Sequence, residues 1–252
     1  MPKKRDTMKK SLLYVMMTFI ISSSLQSSTF KLITVLYNES NPERCAEYIA
    51  CMEKNLQHPC IDSIHIVYDT AKDDEINGLL NYVKSKKVAI TYTHGRPTYE
   101  FCFNVVNQQY PHANIILSNA DIYFNETLNL LQNYNLANKF LALTRWDVKS
   151  DGSLELFKQF TKEGTFNDTA SYLSMDVWIF KAPIKQFKNA QFQMGTWACD
   201  GYIAYQAYIS GLEVLNPCLS IQCCHLHLSK IRHWIPQSIP GAKALINPWR
   251  NL

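Results

Sequence analysis

The sequence has few of the features by which a class of protein is recognised directly. Its 252 residues contain no repeat, acidic tail, low-complexity tract or proline- and glycine-rich linker, which argues against a repeat array, a disordered protein and a string of separate domains. Charged residues make up only 18%, and the net charge of +4 comes mainly from the N-terminus. No basic face for nucleic acid is therefore predicted. The length suits one domain, and an apolar share of 47% is enough for a core.

The N-terminal apolar run Leu12–Ile21 has about half of the roughly 20 residues that a membrane-spanning helix needs. Five basic residues precede it and small serines follow it, which is typical of a signal peptide. We interpret residues 1–28 as a signal peptide or short membrane-targeting segment, and residues 29–252 as one domain. A cleaved signal, hence a secreted or secretory-pathway protein, is favoured over a membrane anchor.

The eight cysteines include no C-x-x-C pair, and their wide scatter does not resemble a zinc module. An even number behind a signal peptide permits disulfides. Small buried apolar side chains explain the same residues equally well, so both interpretations stay open.

Apolar strand-like segments alternate with amphipathic helical segments in the first half of the chain. Strands are predicted at Phe30–Tyr37, Ser63–Tyr68, Val88–Tyr92 and Asn114–Ser118, and helices at Glu43–Gln57, Glu75–Val83 and Tyr99–Gln109. This alternation implies right-handed crossovers and a mostly parallel sheet, and the fully apolar strands agree because parallel strands are buried on both faces.

The second half is more mixed. Strands are predicted at Phe140–Thr144 and Val177–Phe180 and within Leu219–Leu228, and a helix at Asp200–Ser210. The expected fold is α/β: an open, mostly parallel, twisted sheet flanked by helices, with a mixed C-terminal half.

Polar residues follow each of the first four predicted strands. They are Asn38 with Glu39, then Asp69, His94–Arg96 and Asn119–Asp121. Because ligands of open α/β sheets bind at the carboxyl ends of the strands, these positions predict a ligand site.

The segment Ile115–Phe124 delivers the carboxylate of Asp121 just after a buried strand. A divalent cation that bridges two phosphates needs hard oxygen ligands on such rigid backbone. The segment resembles the D-x-D region of the GT-A glycosyltransferases, with Asn119 in place of the first acid. The resemblance implies that Asp121 binds the metal and that Asn119 is a weaker oxygen ligand or a sugar contact. The alternative is an Asx cap that closes the strand.

The resemblance to family-2-like glycosyltransferases extends from Phe30 to about Ser229. It implies that Asn38 and Glu39 border the nucleotide base, that Asp69 contacts the base or ribose, and that Arg96 faces phosphate, for which a guanidinium fork is well suited. A turn residue at Asp69 and a solvated charge at Arg96 are the alternatives.

The loop Gly195–Asp200 resembles the glycine- and aromatic-containing loop that presents the general base of GT-A enzymes. The match implies that Asp200 removes the acceptor proton and that Trp197 contacts acceptor or sugar. The alternative is that Asp200 only caps a helix.

Further carboxylates adjoin predicted strands. Asp176 is a candidate for binding an acceptor or sugar hydroxyl, and Arg145 and Asp147 are candidates for lining the sugar pocket or for pairing with each other. Trp178 is interpreted as a core residue, with stacking on a sugar face as the alternative.

His225 and His227 share a face of an extended segment. The resemblance implies that one or both complete the metal site with Asp121, and the alternative is that they are structural histidines. Arg232 and His233 follow, and a cation at this place is suited to neutralise a departing diphosphate.

The first hypothesis is a glycosyltransferase that uses Mn²⁺ or Mg²⁺ to move a sugar from a UDP- or GDP-linked donor to a glycan, lipid or protein acceptor. The second is an inactive, secreted module of the same fold that binds sugar or nucleotide. The third is a metal-assisted phosphoester hydrolase, which needs more clustered carboxylates and histidines than the sequence offers.

Overall fold

The structure is a computed structural model, and it describes residues 29–71, 78–86, 88–157, 159–160, 166–167, 174–233, 235–250 and 252. The predicted signal peptide, residues 1–28, lies outside these ranges. No helix within the described ranges combines the length and the apolar character that crossing a membrane requires.

Four α-helices and thirteen strands are formed by the described residues. The helices are α1 (Pro42–Gln57), α2 (Gly78–Ser85), α3 (Tyr99–Gln109) and α4 (Cys199–Ile209). The strands are β1 (Phe30–Tyr37), β2 (Ile61–Asp69), β3 (Ala89–Thr93), β4 (Asn114–Ser118), β5 (Ile122–Phe124), β6 (Lys139–Thr144), β7 (Trp146–Val148), β8 (Leu154–Leu156), β9 (Gln159–Phe160), β10 (Phe166–Asn167), β11 (Met175–Lys181), β12 (Glu213–Leu215) and β13 (Cys223–His225). A 3₁₀ helix covers Glu126–Leu131. Each predicted strand and helix overlaps one of these elements.

The main sheet has seven strands in the order β12-β6-β11-β4-β1-β2-β3. All neighbours are parallel except β11, which lies antiparallel between β4 and β6. The prediction of an open, mostly parallel sheet is therefore confirmed. Since β1 to β4 point the same way, the polar residues that follow them meet at one edge.

Helices cover both faces of this sheet, which explains why its strands are continuously apolar. On β1, Leu32 and Leu36 pack into the layer beneath α1 and α2, whereas Ile33 and Val35 pack into the layer beneath α3 and α4. Trp178 is 1% exposed in the second layer, and its ring meets that of Tyr99 edge-on at 5.1 Å. Trp178 is thus a core residue.

Helix α1 begins where Asn41 caps it, because the Asn41 side chain accepts a hydrogen bond from the Arg44 amide at 2.9 Å. Its apolar residues pack against the first layer: Cys45, Ile49, Met52 and Leu56. A second buried stripe on the same helix carries polar residues at three- and four-residue spacing around Cys51: Arg44, Glu47, Tyr48 and Asn55.

A second sheet of four strands has the order β5-β13-β7-β8. Strand β13 pairs antiparallel with β5 and parallel with β7, and this register places His225 opposite both Ile122 and Asp147. Leu226 then donates its amide to the carbonyl of Asp121 at 2.9 Å. The small sheet therefore joins chain segments that are far apart in sequence.

All eight cysteines lie in the described part of the chain, and all are free thiols. Seven are buried, and Cys45 is half-buried. They pack as small side chains, and the thiols of Cys60 and Cys199 also donate hydrogen bonds, to Asn129 at 2.9 Å and to Asp200 at 3.1 Å.

Candidate active site

A cavity of about 1020 Å³ opens at the edge of the sheet where β1 to β4 end. Twelve of the residues predicted from the sequence line it: Asp69, Arg96, Asn119, Asp121, Arg145, Asp176, Trp197, Asp200, His225, His227, Arg232 and His233. Three predicted residues, Asn38, Glu39 and Asp147, are not part of its lining. The cavity thus lies at the edge of the sheet where the sequence predicts a ligand site.

Asp121 lies at the centre of this group and is 7% exposed. Its Oδ2 is 2.5 Å from Nη2 of Arg44 and 3.1 Å from Nε2 of His225. Burial would raise the pKa of Asp121, but the neighbouring His225 and Arg44 outweigh burial and hold that pKa far below its ordinary value. Its other oxygen, Oδ1, is buried and has no hydrogen-bond partner among the described residues.

Two histidines stand beside this carboxylate. The rings of His225 and His227 are 5.3 Å apart, and each offers a nitrogen that lies, together with a carboxylate oxygen of Asp121, within a span of 4.8 Å. Burial and the charge of Arg44 lower the pKa of His227 to about 4. Burial would also lower the pKa of His225, but Asp121 raises it to about 9.

These three side chains fit a divalent cation. Nε2 of His227 is buried and, like Oδ1 of Asp121, has no hydrogen-bond partner in the described part of the chain. A neutral imidazole and an ionised carboxylate with unused lone pairs are the ligand types that first-row divalent metals take. Asp121 and His227, together with His225 once an ion displaces its proton, are therefore the residues that could hold a metal.

Arg44 is a site residue that the sequence reasoning missed. It donates from Nε to the Tyr48 hydroxyl at 3.2 Å and from Nη1 to Glu47 at 2.7 Å, in addition to its contact with Asp121. Its guanidinium lies 4.6 Å from the centre of the Tyr48 ring. The polar stripe at helical spacing on α1 is the signal that could have revealed it.

Asn119 is hydrogen-bonded to the carboxylate of Asp176, and both residues line the cavity. Its Nδ2 donates to Oδ1 of Asp176 at 2.7 Å, and Nη1 of Arg145 donates to Oδ2 of the same residue at 3.1 Å. An aspartate at position 119 would place its carboxylate against that of Asp176, where the amide now lies at 2.7 Å. The amide that replaces the first acid of the D-x-D pattern is therefore complementary to Asp176, and it does not act as a strand cap.

Asp147 is hydrogen-bonded to the His225 ring on the side opposite Asp121. Its Oδ1 accepts from Nδ1 of His225 at 2.7 Å and from Nε of Arg145 at 3.0 Å. Burial would raise the pKa of Asp147, but His225 and Arg145 lower it. The predicted pairing of Arg145 with Asp147 is therefore present.

Asp200 is the second residue of α4, not its cap. The capping position belongs to Ala198, whose φ of 64° is left-handed and which makes no side-chain capping bond. Burial, and then the charge of Asp176, raise the pKa of Asp200 to about 7. A half-buried carboxylate with such a pKa is suited to accept a proton near neutral pH.

The loop before α4 is shaped by close contacts. Gly195 has a φ of 75°, a left-handed conformation that favours glycine, and a Cβ there would lie 3.0 Å from Nη1 of Arg96. Trp197, which is 61% exposed, donates its amide to the carbonyl of Ile235 at 3.0 Å. This backbone hydrogen bond therefore fixes the main chain of Trp197, whose indole lies at the mouth of the cavity.

Asp69 and Arg96 both have specific partners. Oδ1 of Asp69 accepts from the amides of Ala71 at 2.9 Å and Gly95 at 2.8 Å, which ties the end of β2 to the loop after β3. Arg96 donates from Nη2 to the carbonyl of His233 at 2.6 Å. Asp69 thus combines a turn role with a place on the cavity wall, and Arg96 is more than a solvated charge.

Glu39 lies behind the wall and is buried. Its carboxylate accepts from the Asn41 amide at 2.9 Å and the Tyr37 hydroxyl at 3.0 Å, and it lies 3.1 Å from Nε2 of His233. Tyr37 and His233 both line the cavity, so Glu39 supports residues that face a ligand.

Comparison with known proteins shows the fold. No protein-family model matches the sequence, and the curated proteins include no match. Among solved structures, the chain is similar to the mannosyltransferase PcManGT from Pyrobaculum calidifontis in complex with GDP-Man and Mn²⁺, with 11% identity, a TM-score of 0.50, and coverage of 86% of this chain and 65% of that one. It is also similar to GalNAc-T7 with UDP, GalNAc and Mn²⁺, with 10% identity, a TM-score of 0.52, and coverage of 84% and 46%.

The chain thus spans less than two thirds of either similar structure. Its seven-stranded sheet, the helices on both faces and the site at the strand ends agree with this likeness. We conclude that the chain has the GT-A-like fold of nucleotide-sugar transferases.

Proposed function

We propose that this protein is a metal-dependent glycosyltransferase that moves a sugar from a nucleotide-sugar to an acceptor hydroxyl. The observation that carries the proposal is the group formed by Asp121, His225 and His227, which lies in a large cavity at the carboxyl edge of the sheet. The similar structures contain Mn²⁺ with GDP-Man or with UDP and GalNAc, which supports a UDP- or GDP-linked donor. A glycan, a lipid and a protein are the acceptor classes proposed.

The charges around Asp121 favour a divalent cation. Four carboxylates belong to one bonded group, Glu47, Asp121, Asp147 and Asp176, but only two guanidinium groups, those of Arg44 and Arg145, pair with them. His225, whose pKa is raised to about 9, pairs with two of these carboxylates as a third cation. A divalent cation that binds at its Nε2 would displace the ring's proton and balance the two negative charges that then remain. Mn²⁺ suits a ligand set with imidazole nitrogens better than Mg²⁺, which prefers oxygen. When bound, the cation would neutralise charge on the leaving diphosphate.

The remaining residues have separate tasks in this proposal. Asp69 holds the base or ribose at the end of β2. The exposed guanidinium of Arg232, which also lines the cavity, faces the phosphates. Asp176, oriented by Arg145 and Asn119, accepts a hydrogen bond from a sugar hydroxyl.

Asp200 takes the proton of the acceptor hydroxyl as the new glycosidic bond forms. Its raised pKa supports this role, since a base that titrates near the working pH accepts protons most effectively. Trp197, at the mouth, offers an aromatic face to the acceptor.

We further propose that residues 29–252 act as one domain and that residues 1–28 direct it to a secretory compartment. Lumens that hold nucleotide-sugars would supply the donor. Membrane attachment through the same segment is the second arrangement.

The test is to incubate the full chain with a panel of nucleotide-sugars and Mn²⁺ and to measure released nucleotide diphosphate. Asp121→Ala should abolish release, because the ion loses its carboxylate ligand. Asp151→Asn is the matched control, since Asp151 is an exposed carboxylate in a turn, and it should keep wild-type turnover. Release that is equal in both variants would contradict the proposal.

The second candidate is a binding module without turnover. The contact between Arg44 and Oδ2 of Asp121 favours it, because a guanidinium already occupies the carboxylate oxygen. Micromolar or tighter binding of a nucleotide-sugar, with no diphosphate released, would support this candidate over the enzyme.

A further inference from the structure

We propose that Asp147 is the positioning residue of the metal centre: its carboxylate holds the His225 ring so that Nε2 faces Asp121. This inference rests on the proposed function, because it assigns Asp147 to the same metal site. It replaces the sugar-pocket role that the sequence suggested for Asp147 with a role exerted through another side chain.

The hydrogen bonds of His225 define the orientation of its ring. Nδ1 is 2.7 Å from Oδ1 of Asp147, and Nε2 is 3.1 Å from Oδ2 of Asp121. A carboxylate can only accept, so Nδ1 must carry a proton. By the same rule Nε2 carries a proton towards Asp121 here, and this is the proton that an ion would displace, because Nε2 is the nitrogen that points to the other ligand. A carboxylate behind a ligating histidine fixes the tautomer and raises the basicity of the ring.

The fold places this pair with little freedom. His225 and Asp147 are register partners on β13 and β7, and Nε of Arg145 holds the same Asp147 oxygen at 3.0 Å. Arg145 also holds Asp176 through Nη1. Asp147 is therefore fixed both by its strand and by a guanidinium that is 8% exposed.

The position of Asp147 argues against direct contact with a ligand. Asp147 is not part of the cavity lining, whereas His225 and Arg145, its two partners, are. The two side chains that Asp147 holds do face the cavity, so we expect Asp147 to act on the ion through them. Loss of such a supporting carboxylate typically weakens metal affinity by about 10–100-fold.

The experiment measures Mn²⁺ binding to the full chain by the EPR signal of the free ion, without donor. Asp147→Ala should weaken Mn²⁺ binding about 10–100-fold. Asp147→Asn, which keeps the size and one acceptor oxygen, should weaken it less. Glu155→Ala is the matched control: Glu155 is the register partner of Asp147 on β8, and its carboxylate is exposed and paired with Lys149. It should bind Mn²⁺ within about twofold of wild type.

A second readout separates positioning from a general structural effect. If Asp147 acts only through His225, saturating Mn²⁺ should restore kcat in Asp147→Ala and leave the KM for donor near the wild-type value, while the Mn²⁺ concentration for half-activation rises. A donor KM that stays raised at saturating Mn²⁺ would overturn the inference in favour of a sugar contact.

Three results of the binding experiment would also overturn the inference. Asp147→Ala could bind Mn²⁺ as tightly as wild type does, or Glu155→Ala could lose as much Mn²⁺ affinity as Asp147→Ala. The third such result is a wild-type protein that binds no Mn²⁺. If Asp147→Ala does not fold, Asp147→Asn provides the same comparison. Wild type that binds Mn²⁺ through Asp147 but transfers no sugar would refute the proposed function and leave the inference intact.

Discussion

Lowering the pH is expected to stop sugar transfer through protonation of Asp200. Burial and the charge of Asp176 raise the pKa of Asp200 to about 7, and a general base works only in its ionised form. Below that pKa, each pH unit reduces the ionised fraction about tenfold. Turnover at pH 6 should therefore be about 10% of its plateau above pH 8, and at pH 5 about 1%.

A neighbouring substitution should move this profile in a defined direction. Asp176→Asn removes the negative charge that raises the pKa of Asp200, and it frees Arg145, whose charge lowers that pKa. Both effects favour the carboxylate. The midpoint of the profile should therefore move to lower pH, although the plateau itself should fall because Asp176 also faces the cavity.

The assay is the rate of nucleotide diphosphate release from pH 5 to 9. Because metal affinity also changes with pH, Mn²⁺ must be shown to saturate at each pH. Asp200→Asn should lose both the activity and the midpoint near 7. A wild-type rate that is constant from pH 5 to 8, or an Asp200→Asn variant with the wild-type profile, would refute the assignment of Asp200 as the base.

Two further predictions concern the buried charges. Arg44→Ala leaves the buried carboxylates of Asp121 and Glu47 without their guanidinium, and it should lower the free energy of unfolding by about 3–5 kcal/mol in chelator, with partial recovery in Mn²⁺. Lys149→Ala, which breaks an exposed ion pair, should cost at most about 1 kcal/mol in the same denaturant titration, and an equally small loss in Arg44→Ala would contradict the prediction. Asn119→Asp should reduce turnover, because it sets a second carboxylate against Asp176. The double variant with Asp176→Asn should recover part of that loss if the hydrogen bond between the two side chains is what matters.

The helices and strands of the first half could be predicted because their signals are local. A strand buried on both faces reads as a continuous apolar run, as in Asn114–Ser118, and helix α3 was predicted with its observed ends. The helix predicted at Glu75–Val83 overlaps α2 (Gly78–Ser85), and its first three residues lie outside the described part of the chain. The antiparallel insertion of β11 between β4 and β6 has no local signature, because a strand buried on both faces reads the same in either direction.

Part of the candidate site could be predicted from local sequence signals, and part of it could not. Asp69, Arg96 and Asp121 could be found because each follows a strand, and parallel strands bring such positions to one edge of the sheet. Asp147 and Asn38 were included on the same grounds but do not line the cavity. Arg44 was missed because a buried arginine on an amphipathic helix is conspicuous only when its partner, Asp121, is known to lie opposite.

Local periodicity and residue type were thus sufficient to predict an α/β sheet and a carboxylate at its rim. The partners of that carboxylate could not be predicted. Arg44 lies 77 residues from Asp121 and His225 lies 104 residues from it, and Asp147 reaches His225 only because β7 pairs with β13. Strand pairing and helix docking set these contacts, and they depend on how the whole chain packs, which no short stretch of sequence encodes.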